Sequence, residues 1–218
     1  MGTSPRNDRL AFTLSEVLIT LGIIGIVAAI TLPSIVSNIN NIQLKKALKK
    51  DYSVVSQTMQ VITNLYGGDI TGSFNREIDA IDAFCLQAKC LKTCTYGDEE
   101  GCWHKPGEFS SPNGFNSHRR NRASAIFADG SLITINTSFN KNCDQQNAEA
   151  IYDNVCFDLL IDVNGFNKPN VIGRDIFRLV VLKNKVLPYG AFPGNTSLCE
   201  GELSSGWGDS CAAKYLLE

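Results

Sequence analysis

The sequence predicts an α+β chain in which one long amino-terminal helix precedes a small antiparallel sheet, stapled by disulfides. Three observations carry that expectation. Residues 12–36 form an almost unbroken apolar run, all eight cysteines lie beyond residue 84, and short alternating segments separated by turn signals begin at Ser124. The 218 residues carry 20 Lys+Arg against 22 Asp+Glu, a formal charge of −2 and a pI near 5.7. That balance lacks the basic footprint needed to neutralise phosphates, so no nucleic-acid partner is expected. At 44% hydrophobic and 19% charged, the chain is too apolar to be disordered throughout.

From Phe12 to Val36 the only charged residue is Glu16. Twenty-five helical residues span roughly 37 Å, enough to cross a hydrocarbon core of ~30 Å. The run is longer than a secretory h-region and no A-x-A site follows it, so the segment is expected to be retained. Glu16 needs its own account. A carboxylate deep in a membrane helix costs on the order of 2.5–3.5 kcal/mol. Near the start of the run it reaches the interface or the positive helix end. It is therefore either an interfacial acid or one that pairs with a positive group from a neighbouring molecule.

Beyond Pro33, where the missing N–H predicts a bend, Ile35, Ile39, Ile42, Leu48, Tyr52, Val55, Met59, Ile62 and Tyr66 recur at spacings of three and four. This is an amphipathic stripe. Asn40, Asn41, Lys45, Lys49, Gln57 and Asn64 line the opposite face, and Gly67-Gly68 marks the stop. Residues 48–66 are expected to pack on the chain's own sheet. Residues 12–36 have no apolar partner in the chain, which leaves lipid or further copies of the same helix.

Residues 69–122 are loop-rich and hold Cys85, Cys90, Cys94 and Cys102, with a short helix expected near Ile78–Leu91. Residues 97–122 read as irregular surface. Trp103 and His104 have no catalytic partner in view and read as packed or half-exposed rings, and Arg119, Arg120 and Arg122 read as a solvated turn. Strands are expected at Ser124–Ala128 and Ser131–Thr137 around the Asp129-Gly130 hairpin signal, then at Val155–Val163, Asp175–Leu182 and Lys185–Leu187.

Eight cysteines downstream of an apolar segment suggest an oxidising compartment. Spacing alone leaves 105 pairings open. The local expectation is Cys143–Cys156 and Cys199–Cys211, with Cys85, Cys90, Cys94 and Cys102 paired among themselves. Zinc held by those four cysteines and His104 is the alternative, weakened by the lack of C-x2-C knuckles. Flanking charge is ambiguous, with Arg6 and Arg9 on one side and Lys45, Lys46, Lys49 and Lys50 on the other. The cysteines place the carboxy-terminal part outside the cytoplasm.

No P-loop, G-x-S-x-G elbow, H-E-x-x-H or dinucleotide fingerprint is present. The only histidines are His104 and His118. Nothing brings a nucleophile, a base and an orienting group together, so no enzyme is expected and no catalytic residue is assigned.

The stretch Leu10-Ala11-Phe12-Thr13-Leu14-Ser15-Glu16-Val17-Leu18-Ile19, continued by TLGIIGIVAAITLP, resembles the prepilin-type cleavage and methylation segment. Type IV pilins and the pseudopilins of type II secretion share that segment. The resemblance implies a pilin-like fold, a leader 1–11 cut between Ala11 and Phe12, and N-methylation of Phe12. It also implies assembly through Phe12, Glu16 and the helix-kinking Pro33. Ala11 departs from the family's usual Gly before the cut, and the leader is less basic than many. Its loss removes two arginines and one aspartate, taking the formal charge from −2 to −3. The organisation implied is leader 1–11, membrane and assembly helix 12–36, amphipathic continuation 37–68, cysteine-rich variable region 69–122, and sheet with a carboxy-terminal disulfide loop 123–218. The partners implied are other pilin-like subunits, prepilin peptidase/N-methyltransferase and an inner-membrane assembly platform. The location implied is single-pass in a bacterial inner membrane, then a periplasmic or cell-surface filament.

Asp162-Val-Asn-Gly165, followed by Lys168-Pro169-Asn170 and Gly173-Arg174-Asp175, resembles a segment of some pseudopilins, relatives of which bind calcium near their carboxy-terminal strands. Asp162, Asn164 and Asp175 offer the hard oxygens that calcium takes in sets of six to eight. Asp and Asn beside Gly more often make turns, and turn chemistry stays ahead on these residues alone. No other cofactor is expected. The competing function is a single-pass, membrane-anchored extracytoplasmic binding module that does not polymerise.

Overall fold

The computed structural model describes residues 13–112, 122–136, 139–145, 153–191, 199 and 208–217, leaving aside the side chains of residues 37 and 38. The expected leader, Ala11, Phe12, His118, Arg119 and Arg120 lie outside these residues. The chain divides into two units, Met1–Ile42 and Gln43–Glu218. Helix α1, Leu14–Leu65, is continuous through Pro33.

In the first unit the helix is apolar on every side from Val17 to Leu32. Leu18, Ile19 and Leu21 are each about 60% exposed, as are Ile23, Ile24 and Ile26 around them. A helix that is hydrophobic all round does not suit water and belongs in lipid or in a bundle. It is also long and apolar enough to cross a membrane.

In the second unit the stripe closes on a core. Leu48, Val55, Met59 and Ile62 are buried and Tyr52 is half-buried, while Ile35, Ile39 and Ile42 of the same expected stripe remain exposed. The stripe therefore ends its packing role where the first unit begins. The helix closes as a Schellman motif. The Gly68 amide donates to the Thr63 carbonyl (2.8 Å) and the Gly67 amide to Asn64 (3.2 Å), with both glycines at positive φ. Tyr66, just past this end, is 47% exposed and meets Phe74 edge-on instead of entering the core.

Among the described residues six strands follow in simple antiparallel sequence: β1 Lys92–Cys94, β2 Ser124–Ile126, β3 Leu132–Ile135, β4 Val155–Asp162, β5 Ile176–Leu182 and β6 Val186–Pro188. β2 to β5 fall on the four expected strands with their ends drawn in by one or two residues, and the segment Lys185–Leu187, expected to extend the fourth strand, lies on a separate strand, β6. β1 was not expected; it pairs Lys92 with Ile126 and extends the sheet by one edge. Period-two alternation sends Ile133, Ile135, Phe157, Leu159, Ile161, Phe177, Leu179 and Val181 to the face covered by α1. Leu132, Leu160 and Ile176 point the other way, onto Trp103, Phe109 and Ile172.

That second face corrects the reading of residues 97–112 as surface. Trp103, His104 and Phe109 are all at or below 4% exposed and form a lid on the sheet. Each large apolar side chain so buried contributes about 1.5–3 kcal/mol. The lid is preceded by α2, Glu77–Ala88, shorter than expected and closed by Lys89 in the left-handed region. The one-turn helix α3, Gly97–Glu100, lies within the Cys94–Cys102 loop. A carboxy-terminal helix, α4, Cys211–Leu217, was also not expected; it packs Tyr215 edge-on against Phe177, with Lys45 Nζ 4.1 Å above the Tyr215 ring.

All eight cysteines are paired, as Cys85–Cys90, Cys94–Cys102, Cys143–Cys156 and Cys199–Cys211. This removes the zinc alternative, because no thiolate remains and His104 is engaged elsewhere.

Candidate functional site

At the start of α1, Thr13 and Glu16 form a reciprocal cap. The Glu16 carboxylate accepts from the Thr13 amide and hydroxyl, both at 2.9 Å, and the Glu16 amide donates to Thr13 Oγ1 at 3.2 Å. This is a capping box: two orphan donors of the first turn are satisfied by side chains three residues apart. Glu16 thus has a use within its own chain that the apolar-run reading did not include. The Thr13-x-x-Glu16 spacing carries that signal. Pro33 lies about five turns further on inside the helix, where it has no N–H to offer the preceding turn.

The second cluster lies in the segment joining β4 to β5. Asp162 ends β4 and Asp175 immediately precedes β5, and both are 0% exposed. Asp162 Oδ1 accepts from the Asn164 amide (3.1 Å), an Asx turn, and Oδ2 lies 2.7 Å from His104 Nε2. Asp175 accepts from the amides of Asn170 and Val171, each at 2.7 Å. Asn164 Nδ2 donates to the Lys168 carbonyl and Asn170 Nδ2 to the Glu108 carbonyl, tying the segment to the lid. The amide oxygens of both asparagines are buried without a hydrogen-bond partner.

The electrostatics oppose leaving these acids alone. Burial, with the Asp175 charge added, pushes the Asp162 carboxyl up to about 6, although the His104 hydrogen bond pulls the other way. Burial also raises Asp175, opposed by the amides of Val171 and Asn170 and by the Asn164 side chain. Two desolvated carboxylates within reach of each other's charge, plus two orphaned amide oxygens, make a hard-oxygen donor set. Each hydrogen-bonded carboxylate oxygen keeps a free lone pair. These residues offer hard oxygens of the kind calcium takes, although among the described residues no three His, Cys, Asp or Glu side chains come together as a metal site. The three residues expected from sequence, Asp162, Asn164 and Asp175, lie in one segment; Asn170 joins them through its buried oxygen, and His104 fixes Asp162 from behind.

Gly165 has a structural reason to be glycine. Its φ is +68°, and a Cβ there would collide with the Gly130 carbonyl of the β2–β3 turn.

Residues 6–32 match the family model for the prokaryotic N-terminal methylation motif. That motif is the signature of the prepilin-type cleavage segment of type IV pilins and pseudopilins, so the chain carries the mark of a pilin-like precursor. The match spans the capped start of α1 and its all-apolar first stretch, and ends one residue short of Pro33. Neither the curated proteins nor the solved structures give a significant match to the chain.

Proposed function

We propose that this chain is a structural subunit of a pilin-like filament, a pseudopilin of type II secretion or a minor pilin of a type IV system. The observation that supports it is the methylation motif falling on the amino end of a helix whose side chains are apolar and exposed all round. Prepilin peptidase cuts between Ala11 and Phe12 and methylates the new amino group. The helix then waits in the inner membrane, with the disulfide-bonded unit outside the cytoplasm. Assembly transfers it into a bundle of like helices on the membrane platform. There the Phe12 amino group pairs with Glu16 of an adjacent subunit, setting the register, because an unpaired carboxylate in such a bundle is costly. The reach to a neighbour requires Glu16 to share or release its Thr13 cap. The role is structural and uses no catalytic residue.

Calcium in this reading is a staple for the 162–175 segment. Asp162, Asn164, Asn170 and Asp175 would hold it, backbone carbonyls completing the set, and the ion would offset the buried negative charge. His104 orients Asp162, and the Asn170–Glu108 hydrogen bond links the segment to the lid.

Mass spectrometry of the amino terminus of chain isolated from its native membrane tests the proposal. A first peptide beginning at N-methylated Phe12 is expected. An intact leader, in cells with active prepilin peptidase, overturns it and favours a membrane-anchored binding module. Glu16→Ala should be processed but excluded from filaments, and its normal incorporation would refute the pairing.

A further inference from the structure

Apart from both sites, the second unit has a cavity of about 150 Å³ between α1, the last residue of α2 and the β2–β3 turn. Its walls are the apolar groups of Val54, Ala88, Phe127 and Ala128. Into it faces Asp51, whose side chain is only 2% exposed. One of its oxygens, Oδ1, lies 3.4 Å from Lys50 Nζ and the Ser131 side chain also bears on the carboxyl; the other oxygen, Oδ2, is buried with no partner at hydrogen-bond distance. Lys50 does not neutralise the site, since its ammonium also pairs with Asp129 at the mouth. One cation thus faces two carboxylates, and the surplus negative charge sits on the innermost group.

We infer that this cavity binds a primary alkylammonium group, its nitrogen on Asp51 Oδ2 and its short aliphatic stem against Val54, Ala88 and Phe127. Charge complementarity selects the cation, because a desolvated carboxylate oxygen gains most from a charged donor. The walls select the stem. A cavity of this volume admits about six carbons, so a four-carbon stem enters easily. Burial holds the Asp51 carboxyl above its ordinary value of 3.8, opposed by Lys50 and by the Ser131 hydroxyl. The same chemistry is offered by a free amine and by a lysine side chain of another polypeptide.

The test is calorimetric titration of the full chain in a neutral detergent with n-butylammonium chloride, 1-butanol and sodium butyrate. Saturable binding of one n-butylammonium per chain is expected, with an affinity on the order of millimolar. Butanol should bind about tenfold more weakly or worse, and butyrate should not bind. Asp51→Asn should weaken n-butylammonium by about tenfold or more. Ala88→Leu, which fills the cavity and leaves the charges, should abolish it; a melt of each variant checks folding. A ¹³C titration of the Asp51 carboxyl should show its pKa falling when the amine is bound. Absence of saturable binding, equal binding of butanol, or an unchanged affinity in folded Asp51→Asn would overturn the assignment. Binding of Nα-acetyl-lysine methylamide as tightly as butylammonium would identify a protein side chain as the source, and binding of butylammonium and putrescine without the lysine derivative a free amine.

Discussion

His104 Nε2 lies 2.7 Å from Asp162 Oδ2, a buried contact that joins residues 58 positions apart and fastens the lid to the end of β4. His104 is also ringed by aromatic edges, with Trp103, Phe109 and Phe166 centroids 5.3–6.0 Å away. The pair is therefore the polar centre of an otherwise apolar second face. Removing the histidine leaves Asp162 Oδ2 without its side-chain partner.

His104→Phe should accordingly destabilise the metal-free protein by about 1–3 kcal/mol, the usual penalty for an orphaned buried acceptor. For a chain of this size that lowers Tm by about 2–12 °C. The double variant His104→Phe/Asp162→Asn should recover part of the loss, because the charge left unpaired is gone. Additive effects in this cycle would show that the two side chains do not interact.

Arg178 provides a second lock. Its guanidinium donates to Asp158 and, at 3.0 Å, to Asp209 just before α4, and it lies 4.0 Å over the Tyr189 ring. Burial works against its charge, but the Asp158 and Asp209 carboxylates outweigh that and hold it above its usual range. Arg178→Met should cost about 3–5 kcal/mol, since it strands the Asp158 carboxylate in the core. Asp209→Asn, at a partly exposed partner, should cost no more than about 1 kcal/mol. Hydrogen exchange should localise the difference: both variants speed exchange in residues 211–217, and only Arg178→Met also exposes β4 and β5.

The helix and the central strands were legible because their signals are local. Val155–Asp162 and Ile176–Leu182 alternate in register with the core, and the Leu48–Ile62 spacing is that of a helix resting on one face. The lid was not legible. Trp103, His104 and Phe109 follow no period, and what buries them is a sheet formed 20 to 70 residues later. β1 was hidden for a related reason: three residues between two disulfide loops are too few to alternate, and its strand character comes from pairing with β2. In the segment between β4 and β5 the carboxylates were visible as residue types. Asn170 was not, because its relevance rests on a buried, unpartnered oxygen that no spacing announces.

Calcium should stabilise the chain through that segment. At a hundredfold excess over Kd a single bound ion adds about 2.7 kcal/mol, a Tm rise of about 5–10 °C at this size. Magnesium should do much less, since it demands tighter octahedral geometry and sheds water reluctantly. Asp175→Asn and Asn170→Ala should each shrink the calcium-induced shift, the first more than the second. A melt indifferent to calcium and to chelator would leave these residues with turn chemistry alone.

The Asp51 cavity has a consequence for the pH dependence of stability. The carboxyl ionises near 3.8 in an exposed setting and higher in the fold, where burial raises it and Lys50 and the Ser131 hydroxyl only partly offset this. Between those two values the folded chain retains a proton that the unfolded chain has released. Stability from this group is thus greatest below 3.8 and falls as pH rises towards the folded value, then levels off. Asp51→Asn should flatten that part of the profile and raise Tm at neutral pH, an exchange of function for stability. Saturating n-butylammonium should flatten it in the unmodified chain as well, by favouring the ionised acid in the fold. Thermal melts at half-unit intervals from pH 3.5 to 8, with and without the amine, measure both effects. A profile for Asp51→Asn superimposable on that of the unmodified chain would mean that Asp51 ionises in the fold as it does in water.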